Sequence, residues 1–409
     1  MFGPLRQRDF LLLWAGQTVS LVGDGILSVA LAWQALQFPS PATALTVVLV
    51  SRAIPRSVML PFGGALSDRI GRRPVMVVAD AVQGVAIGAI AVLSGAGHLE
   101  VWSLAALAAV SGAAGAFFYP PLTALIPDLL ATEHLLAGNA LNSLSRQFAS
   151  QLLGPALGGL LVASLGTTSA FAIDAASFAV SVGSLVALRV PPRLRETSTG
   201  MMADIVEGLR YTIARPWLRV SLVIFGLINL LISGTIGVLV PLLLTQHLGL
   251  GAGALGLVLA SFGVGAAIAA IAAGQLPAPQ RPIRLLYGAS ALGCVLLGGF
   301  GIAPSVWVLA AMVGFSGLLF ETLNLVWATL MQRNVPARML GRVSSLDWFM
   351  SLSLTPLGLA IAGPAAAAFG IASTLGVGGL AVAGAITTAF FLPGVRSPDR
   401  PDAPADPSM

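Results

Sequence analysis

Apolar residues along the chain form long, nearly uninterrupted runs that are separated by short polar segments. A helix needs about 20 apolar residues to cross the hydrocarbon core of a bilayer. Twelve runs reach that length, and the breaks between them fall at Pro, Gly and Ser. The pattern predicts an all-α polytopic membrane protein with twelve transmembrane helices, at roughly residues 10–36, 42–64, 74–95, 101–124, 141–165, 168–189, 219–245, 253–275, 284–303, 305–329, 343–369 and 371–393.

The composition supports a membrane protein. Apolar types make up 56% of the 409 residues and charged types only 9%, whereas soluble domains carry about 25% charged residues. So few charges cannot cover a surface that faces water, which excludes a soluble enzyme or a disordered chain. The single cysteine, Cys294, also excludes an internal disulfide framework.

The types of polar residue exclude several kinds of chemistry. All 21 basic residues are arginine, so the chain has neither the lysine of a P-loop nor one for a Schiff base. The three histidines, His98, His134 and His247, are far apart in sequence and form no zinc motif. We therefore expect no enzymatic activity, no cofactor and no metal.

The arginines are distributed unevenly between the connections. If the N-terminus is cytoplasmic, nineteen of them lie at the cytoplasmic side and the outer loops contain none; Arg52 and Arg56 lie within the second run. This bias follows the positive-inside rule. It predicts a prokaryotic inner-membrane protein with both termini in the cytoplasm, and it explains the net charge of +5 without a nucleic-acid partner.

The twelve runs divide into two sets of six, and the halves resemble each other weakly. Pro155 and Pro356 lie at similar depths in the fifth and eleventh runs, while Pro74 and Pro282 open the third and ninth. Parallel repeats of six helices are typical of transporters that bind substrate at the midplane between the halves. The expected domains are an N-terminal bundle (1–189), a cytoplasmic linker (190–218), a C-terminal bundle (219–393) and a disordered cytoplasmic tail (394–409).

The linker contains an amphipathic pattern. Ile205, Leu209 and Ile213 recur at a spacing of four, with charged residues between them. The pattern predicts a helix that lies on the inner membrane interface and joins the halves. A regulatory or partner-binding role is the alternative.

The most specific motif follows the second run and reads G-x-L-x-D-R-x-G-R-R. It resembles the signature between helices 2 and 3 of the major facilitator superfamily, at the same place in the topology. The resemblance implies a carrier in which Asp68 latches the halves against the start of helix 11, at Gly341 and Arg342. The motif residues are Gly64, Asp68, Arg69, Gly71, Arg72 and Arg73. Topology alone would explain the arginines but not the glycines or Asp68.

A second motif, G-P-x-x-G-G, lies in the fifth run at Gly154, Pro155, Gly158 and Gly159. It resembles the signature of the drug/proton antiporters, and further stretches resemble macrolide, tetracycline and siderophore exporters. Proline bends a helix and glycine permits close packing, so ordinary small-residue packing is the alternative. The arginine that many proton antiporters carry in helix 4 is absent from 101–124, which leaves the usual proton relay open.

Charges inside the membrane are expensive and indicate function. Asp24 lies ~21 Å along the first run and Arg52 ~15 Å along the second, which runs in the opposite direction. We therefore expect them to lie at similar depth and to pair. Asp24, Arg52 and Glu321 are the candidates for proton coupling; an ion pair that only fixes helix packing is the alternative.

Other polar residues in the runs are candidates for a substrate cavity. In the superfamily, helices 1, 4, 7 and 10 line this cavity, and an anionic group there suits a cationic or protonatable substrate. The candidates are Gln17, Asn229, Glu321, Asn324 and Trp327. Asp174 is interpreted as structural; Asp80, Asp347 and Arg146 are expected to join the latch, and Arg56 has no assigned role.

These observations predict a secondary active transporter that exports a small amphipathic compound, such as a drug, antibiotic or siderophore, by proton antiport and alternating access. The expected partners are the substrate, protons and the lipid bilayer, with the chain acting as a monomer. A carrier that imports or facilitates a metabolite or lipid is the first alternative. A membrane sensor or assembly partner without transport is the second.

Overall fold

The structure is a computed structural model that describes residues 3–131, 134–189, 201–273 and 279–399. The first part of the predicted linker (190–200) and the end of the predicted tail (400–409) lie outside the described residues. Side chains inside helices are likewise not described at positions 61, 64, 65, 68, 69, 136, 140, 201–205, 337, 338, 341 and 345.

The described residues are helical almost throughout and contain no β-strand. Eleven continuous stretches are long and apolar enough to cross a membrane. One of them, Ala137–Val186, has 50 residues, which is ~75 Å of helix and far more than one crossing requires. It is broken at Gly166, where φ is 78°, so it forms two crossings. The described chain therefore has twelve transmembrane spans, as the sequence predicts.

We number the spans in chain order. They are span 1 (Arg8–Leu36), span 2 (Pro41–Ile70), span 3 (Arg72–Gly95), span 4 (Val101–Leu129), span 5 (135–165), span 6 (167–186), span 7 (Pro216–His247), span 8 (Ala252–Ala273), span 9 (Pro282–Ile302), span 10 (Val306–Asn334), span 11 (Ala337–Ser353 followed by Thr355–Phe369) and span 12 (Ile371–Phe390).

Several spans depart from the predicted bounds for local reasons. Span 2 continues about six residues beyond the apolar run and span 10 about five, since a helix can extend into water after its apolar segment ends. Span 4 is interrupted between Gly115 and Tyr119, where two consecutive prolines begin a new helical segment. Hydropathy therefore located the membrane crossings but not the helix ends.

The contacts divide the chain into two compact units. Unit 1 contains Met1–Arg195 and Val240–Gly263, and unit 2 contains Glu196–Leu239 and Val264–Met409. Within unit 1, span 1 packs along spans 5 and 6. The division at 189 and 219 that the sequence predicts remains a prediction.

The same kind of helix contact recurs inside each unit. In unit 1, a Cβ added at Gly154 of span 5 would lie 2.6 Å from the Cα of Gly25 in span 1. In unit 2, a Cβ added at Gly234 of span 7 would lie 2.8 Å from the carbonyl oxygen of Gly358 in span 11. Glycine thus lets backbones meet at both places, which agrees with a duplicated arrangement.

A further helix, Met201–Ala214, lies between spans 6 and 7. Its side chains at Val206, Leu209 and Ile213 are about half exposed, as expected for an apolar face that has no protein partner in the described part of the chain. The tail differs from the prediction over 394–399. There Asp399 accepts hydrogen bonds from the backbone N–H groups of Ile283 and Arg284, at 2.8 and 3.1 Å, and so caps span 9.

Candidate functional site

The loop between spans 2 and 3 is a tight turn at Gly71, whose φ is 100°. Only glycine adopts this conformation readily, so the turn that the sequence predicts is confirmed. Arg72 donates to the carbonyl oxygen of Ala124 and pairs with Asp128, both in span 4. Arg73 donates to the last carbonyl groups of span 6, at Leu185 and Val186. These two arginines therefore hold the ends of three spans together inside unit 1.

The predicted latch itself lies outside the described side chains, because Gly64, Asp68, Arg69 and Gly341 are among the positions without them. Arg342 is described, and it pairs with Glu207 of the helix Met201–Ala214. This contact joins that helix to the start of span 11 within unit 2. The role of Asp68 remains a prediction.

The G-P-x-x-G-G motif forms a packing face in unit 1. A Cβ at Gly158 would lie 2.9 Å from the Cα of Ile26, and one at Gly159 would lie 2.7 Å from the Cα of Gly256. A π-helical segment, Arg146–Leu153, precedes Pro155. Spans 1 and 8 therefore approach span 5 closely at this motif, and the close packing that the sequence predicts is confirmed.

Asp24 and Arg52 form the ion pair that their depths predict. The guanidinium nitrogen of Arg52 lies 3.7 Å from a carboxylate oxygen of Asp24, and both side chains are partly exposed. They line a cavity of about 30 Å³ inside unit 1. Gln17, Arg56 and Tyr119 also line it. The cavity therefore contains an ionisable pair in contact with space that water can enter.

A row of polar side chains on span 6 faces span 1. Asp174, Ser177, Ser181 and Ser184 recur at spacings of three and four, so they share one helical face. Gln17 of span 1 donates to Ser181 at 3.3 Å. Asp174 is fully buried and accepts a hydrogen bond from Ser177 at 3.3 Å. The row thus brings a buried acid against span 1, close to the ion pair.

Close approach of this row depends on span 1 having no side chain at the contact points. Cβ atoms added at Gly16 and Gly23 would collide with Ser184 and with Ser177 and Asp174, respectively. The sequence treated Asp174 as structural and missed this contact. The sequence contains a pattern that indicates this contact. Gly16 and Gly23 are seven residues apart on span 1, and Ser177 and Ser184 are seven residues apart on span 6.

Asp80 corrects a second expectation. It was expected to join the latch, but its carboxylate accepts hydrogen bonds from Ser181 of span 6 and from Gln83. It also lines the same cavity. The reason is geometric, because Asp80 lies two turns inside span 3 and faces the bundle interior. Asp80 therefore belongs to the polar network around Gln17.

Arg146 lies beside Tyr119, which lines the cavity, and not in a latch among the described contacts. Its guanidinium carbon is 4.6 Å from the centroid of the Tyr119 ring, and that of Arg56 is 5.6 Å from the same ring. Both distances are in the range of cation–π interaction. Arg56, which had no assigned role, therefore shares an aromatic side chain with Arg146.

In unit 2, Glu321 and Asn324 are adjacent on span 10, as their spacing predicts. The amide of Asn324 donates to a carboxylate oxygen of Glu321 at 3.4 Å. Asn229 of span 7 donates to the carbonyl oxygen of Phe225 in its own helix, at 2.9 Å. The amide nitrogen of Asn229 is therefore satisfied locally, while the carboxylate of Glu321 can accept further hydrogen bonds.

Trp327 is placed in a packed cluster and not on an open face. Its ring is 6% exposed and makes edge contacts with Trp217 and Phe225, at centroid distances of 5.8 and 4.7 Å. Its indole N–H donates to Asp347 at 3.0 Å. Asp347, which was expected in the latch, thus holds Trp327 between spans 7, 10 and 11.

Replacing Trp327 by Phe should lower the free energy of unfolding by about 1–2 kcal/mol, because the partly buried Asp347 loses its donor while the ring packing largely remains. The shift of the thermal unfolding midpoint in detergent measures this. Asp347→Asn and the double variant complete a double-mutant cycle. Additive effects of the two single changes would contradict a contribution from the hydrogen bond.

Within the described ranges, no three His, Cys, Asp or Glu side chains form a group that could hold a metal ion. Around the cavity of unit 1, the structure brings together Asp24 with Arg52, and Arg56 with Arg146 across Tyr119. This arrangement can exchange a proton or bind a charged group that enters the cavity.

Twelve spans, a signature loop after the second, and an ion pair inside the first unit define a transporter of the major facilitator superfamily. A family model described as transmembrane secretion effector matches residues 1–406. The chain belongs to this family.

Curated relatives match over almost the whole chain. The chain is 28% identical to the "Multidrug efflux pump Tap" of Mycolicibacterium fortuitum over 414 residues, which cover 98% of both chains. It is 30% identical to the "Enterobactin exporter EntS" of Escherichia coli O139:H28 (strain E24377A / ETEC) over 365 residues, or 87% of this chain and 84% of the relative.

Solved structures share the fold. A bacterial homologue of the iron transporter ferroportin, in an inward-facing state, matches with a TM-score of 0.72 and 18% identity over 94% of this chain and 99% of that chain. A bacterial homologue of the human lysosomal transporter Spinster matches with a TM-score of 0.68 and 16% identity over 97% and 99%. At these identities the likeness concerns the fold alone.

Proposed function

We propose that this protein is a secondary active exporter of small amphipathic compounds, of the drug, antibiotic or siderophore type, in a prokaryotic inner membrane. Proton entry drives export by alternating access, with both termini in the cytoplasm and a single chain as the working unit. The Tap and EntS relatives support export, since both are named as exporters and match over most of their length.

The observation that carries the coupling proposal is the Asp24–Arg52 pair at the cavity of unit 1. An ion pair inside a membrane span is costly to maintain and is typical of ion pathways. Here it borders space open to water molecules, so a proton can reach Asp24 and displace Arg52. Protonation and release at Asp24 would then alternate with binding of the substrate.

Glu321, with Asn324 beside it, is proposed as a second acidic group of the pathway, on span 10. Asp68 and the start of span 11 at Arg342 are proposed to close the cytoplasmic side. The residues 190–218 are proposed to join two six-span bundles, 1–189 and 219–393. No catalytic residue or cofactor is part of this mechanism.

The function is tested in everted vesicles that contain the protein and have an acidic lumen. Adding a compound that the protein exports should release protons from the lumen, and a pH-sensitive dye inside the vesicles should report the rise in pH. Vesicles without the protein provide the background. A compound that is demonstrably moved without any pH response would reject proton antiport.

The direction of transport is tested by comparing everted with right-side-out vesicles. Export predicts that labelled compound accumulates in the lumen of everted vesicles when the lumen is acidic. Accumulation in right-side-out vesicles instead would support an importer of a metabolite or lipid. Absence of movement for every compound that binds would favour a membrane sensor.

A further inference from the structure

Two guanidinium groups lie together beside the cavity of unit 1 without a direct ion pair in the described part of the chain. Arg56 and Arg146 lie against the ring of Tyr119, at 5.6 and 4.6 Å from its centroid. Neither guanidinium has an ion-pair or hydrogen-bond partner within the described part of the chain. A guanidinium is always charged and presents five donors in a planar fork, so each of these groups has its donors available.

The nearby acids are engaged elsewhere. Asp24 pairs with Arg52. Asp80 and Asp174 accept hydrogen bonds from Ser181 and Ser177 of span 6, and neither forms an ion pair with Arg56 or Arg146 in the described structure. Arg56 and Arg146 therefore interact with Asp24 only at a distance, and neither has a carboxylate in direct contact in the described structure.

Arg56 also differs in placement from the topogenic arginines. Arg56 is largely exposed although it lies fifteen residues inside span 2, and it lines the cavity together with Tyr119. Part of its surface therefore borders the cavity. A charge in this position is costly unless it has a ligand or water as a partner.

We propose that Arg56, Arg146 and Tyr119 form a binding site for the anionic group of the exported compound, a carboxylate, sulfonate or phenolate attached to an amphipathic body. Such a group accepts two parallel hydrogen bonds from a guanidinium. Tyr119 holds both guanidiniums by cation–π contact and offers an aromatic edge to an apolar or aromatic body.

This assignment rests on the proposed function and makes its substrate class more specific. Glu321 suggested a cationic or protonatable group on the substrate, and that expectation concerns unit 2. The arginine pair adds a requirement for negative charge at unit 1. The proposed substrates are therefore organic anions or zwitterions that carry such a group.

Binding to the purified protein in detergent tests the site without requiring transport. Three matched probes are used: pyrenebutyrate, its uncharged methyl ester, and pyrenemethylammonium. Energy transfer from the protein's tryptophans to pyrene reports binding, with empty micelles as background. We expect Arg56→Gln and Arg146→Gln each to weaken pyrenebutyrate binding about tenfold, the loss of one charge-assisted contact. Binding of the ester should change less than about twofold.

Two variants of Tyr119 test whether its aromatic ring is needed for pyrenebutyrate binding. Tyr119→Leu should weaken pyrenebutyrate binding as much as either arginine variant, whereas Tyr119→Phe keeps the ring and should leave it near the original value. Arg8→Gln is the matched control, because its exposed side chain at the start of span 1 pairs only with its neighbour Asp9 in the described structure. Size-exclusion profiles verify that each variant is folded.

Equal loss of the anionic, neutral and cationic probes in folded Arg56→Gln and Arg146→Gln protein would overturn the anion site, as would unchanged binding of all three. The result is independent of the proposed export. If pyrenebutyrate binds through the arginines but no vesicle moves it, the site stands and the transport function fails for this compound. If vesicles export it and the arginine variants export it equally well, the site fails and the function stands.

Discussion

Replacing Asp24 by Asn is expected to abolish proton-coupled export while the protein remains able to bind a compound. The change keeps the shape of the side chain but removes the charge that pairs with Arg52 at 3.7 Å. Arg52 is then unpaired inside a span, so we also expect the free energy of unfolding to fall by about 1–3 kcal/mol, less than for a fully buried pair because both groups reach the cavity. Substrate-induced proton release from everted vesicles measures the coupling.

The control for this prediction is Asp9→Asn, which removes a partly exposed acid at the start of the same span, where Asp9 pairs with Arg8 and accepts a hydrogen bond from the backbone N–H of Arg189. Its proton release should match that of the unmodified protein. The double variant Asp24→Asn with Arg52→Gln should recover stability without recovering coupling, since it removes both charges. Proton release that persists in the folded Asp24→Asn protein would sink the coupling role and leave the pair a structural one.

A methyl group at Gly154 is expected to disrupt the contact between spans 1 and 5. Its Cβ would lie 2.6 Å from the Cα of Gly25 and 2.9 Å from the carbonyl oxygen of Ala149. Backbone atoms cannot rotate away, so the helices must separate. Overpacking of this kind costs about 1–3 kcal/mol, and we expect a lower unfolding temperature and little or no transport in Gly154→Ala.

Gly183→Ala is the matched control, because a Cβ at Gly183 meets no atom within 4 Å and the residue lies in a helix of the same unit. There the loss of backbone freedom in the unfolded chain should leave stability unchanged or raise it by about 0.4–1 kcal/mol. If Gly154→Ala and Gly183→Ala have the same unfolding temperature, close packing at the motif does not matter for stability.

The membrane crossings were predictable because a bilayer imposes one simple rule on sequence, a run of about 20 apolar residues. That rule also placed Asp24 and Arg52 at similar depth, and the pair is present. Depth alone, however, does not determine which neighbours a side chain meets in a helix bundle. That also depends on the direction in which each helix face points, which is set by contacts between spans far apart in sequence.

The acids Asp80 and Asp174 illustrate the importance of helix-face direction. Asp80 lies near the cytoplasmic end of span 3, so its depth suggested the latch, yet it bonds to Ser181 on span 6. Asp174 looked structural because span 6 is peripheral in the superfamily. Both assignments required knowledge of which faces of spans 1, 3 and 6 meet, and Gly23 determines one of these contacts.

Trp327 was predicted to line the cavity, but the structure buries it. Trp327 shares a face with Glu321 by spacing, so a single helix pattern placed both in a cavity. The structure buries Trp327 against Trp217 and Phe225 because spans 7 and 10 meet there. Spacing along one helix therefore identified Asn324 as the neighbour of Glu321 correctly but could not decide which part of the face remained open.

The break at Gly166 has a mechanical consequence. Spans 5 and 6 are joined through one residue with positive φ instead of a loop. The connection therefore allows little sliding of one span relative to the other along the helix axes. A loop of several residues would let neighbouring helices slide by different amounts. Spans 5 and 6 must instead translate together, so any axial movement of the glycine motif on span 5 carries Asp174 with it.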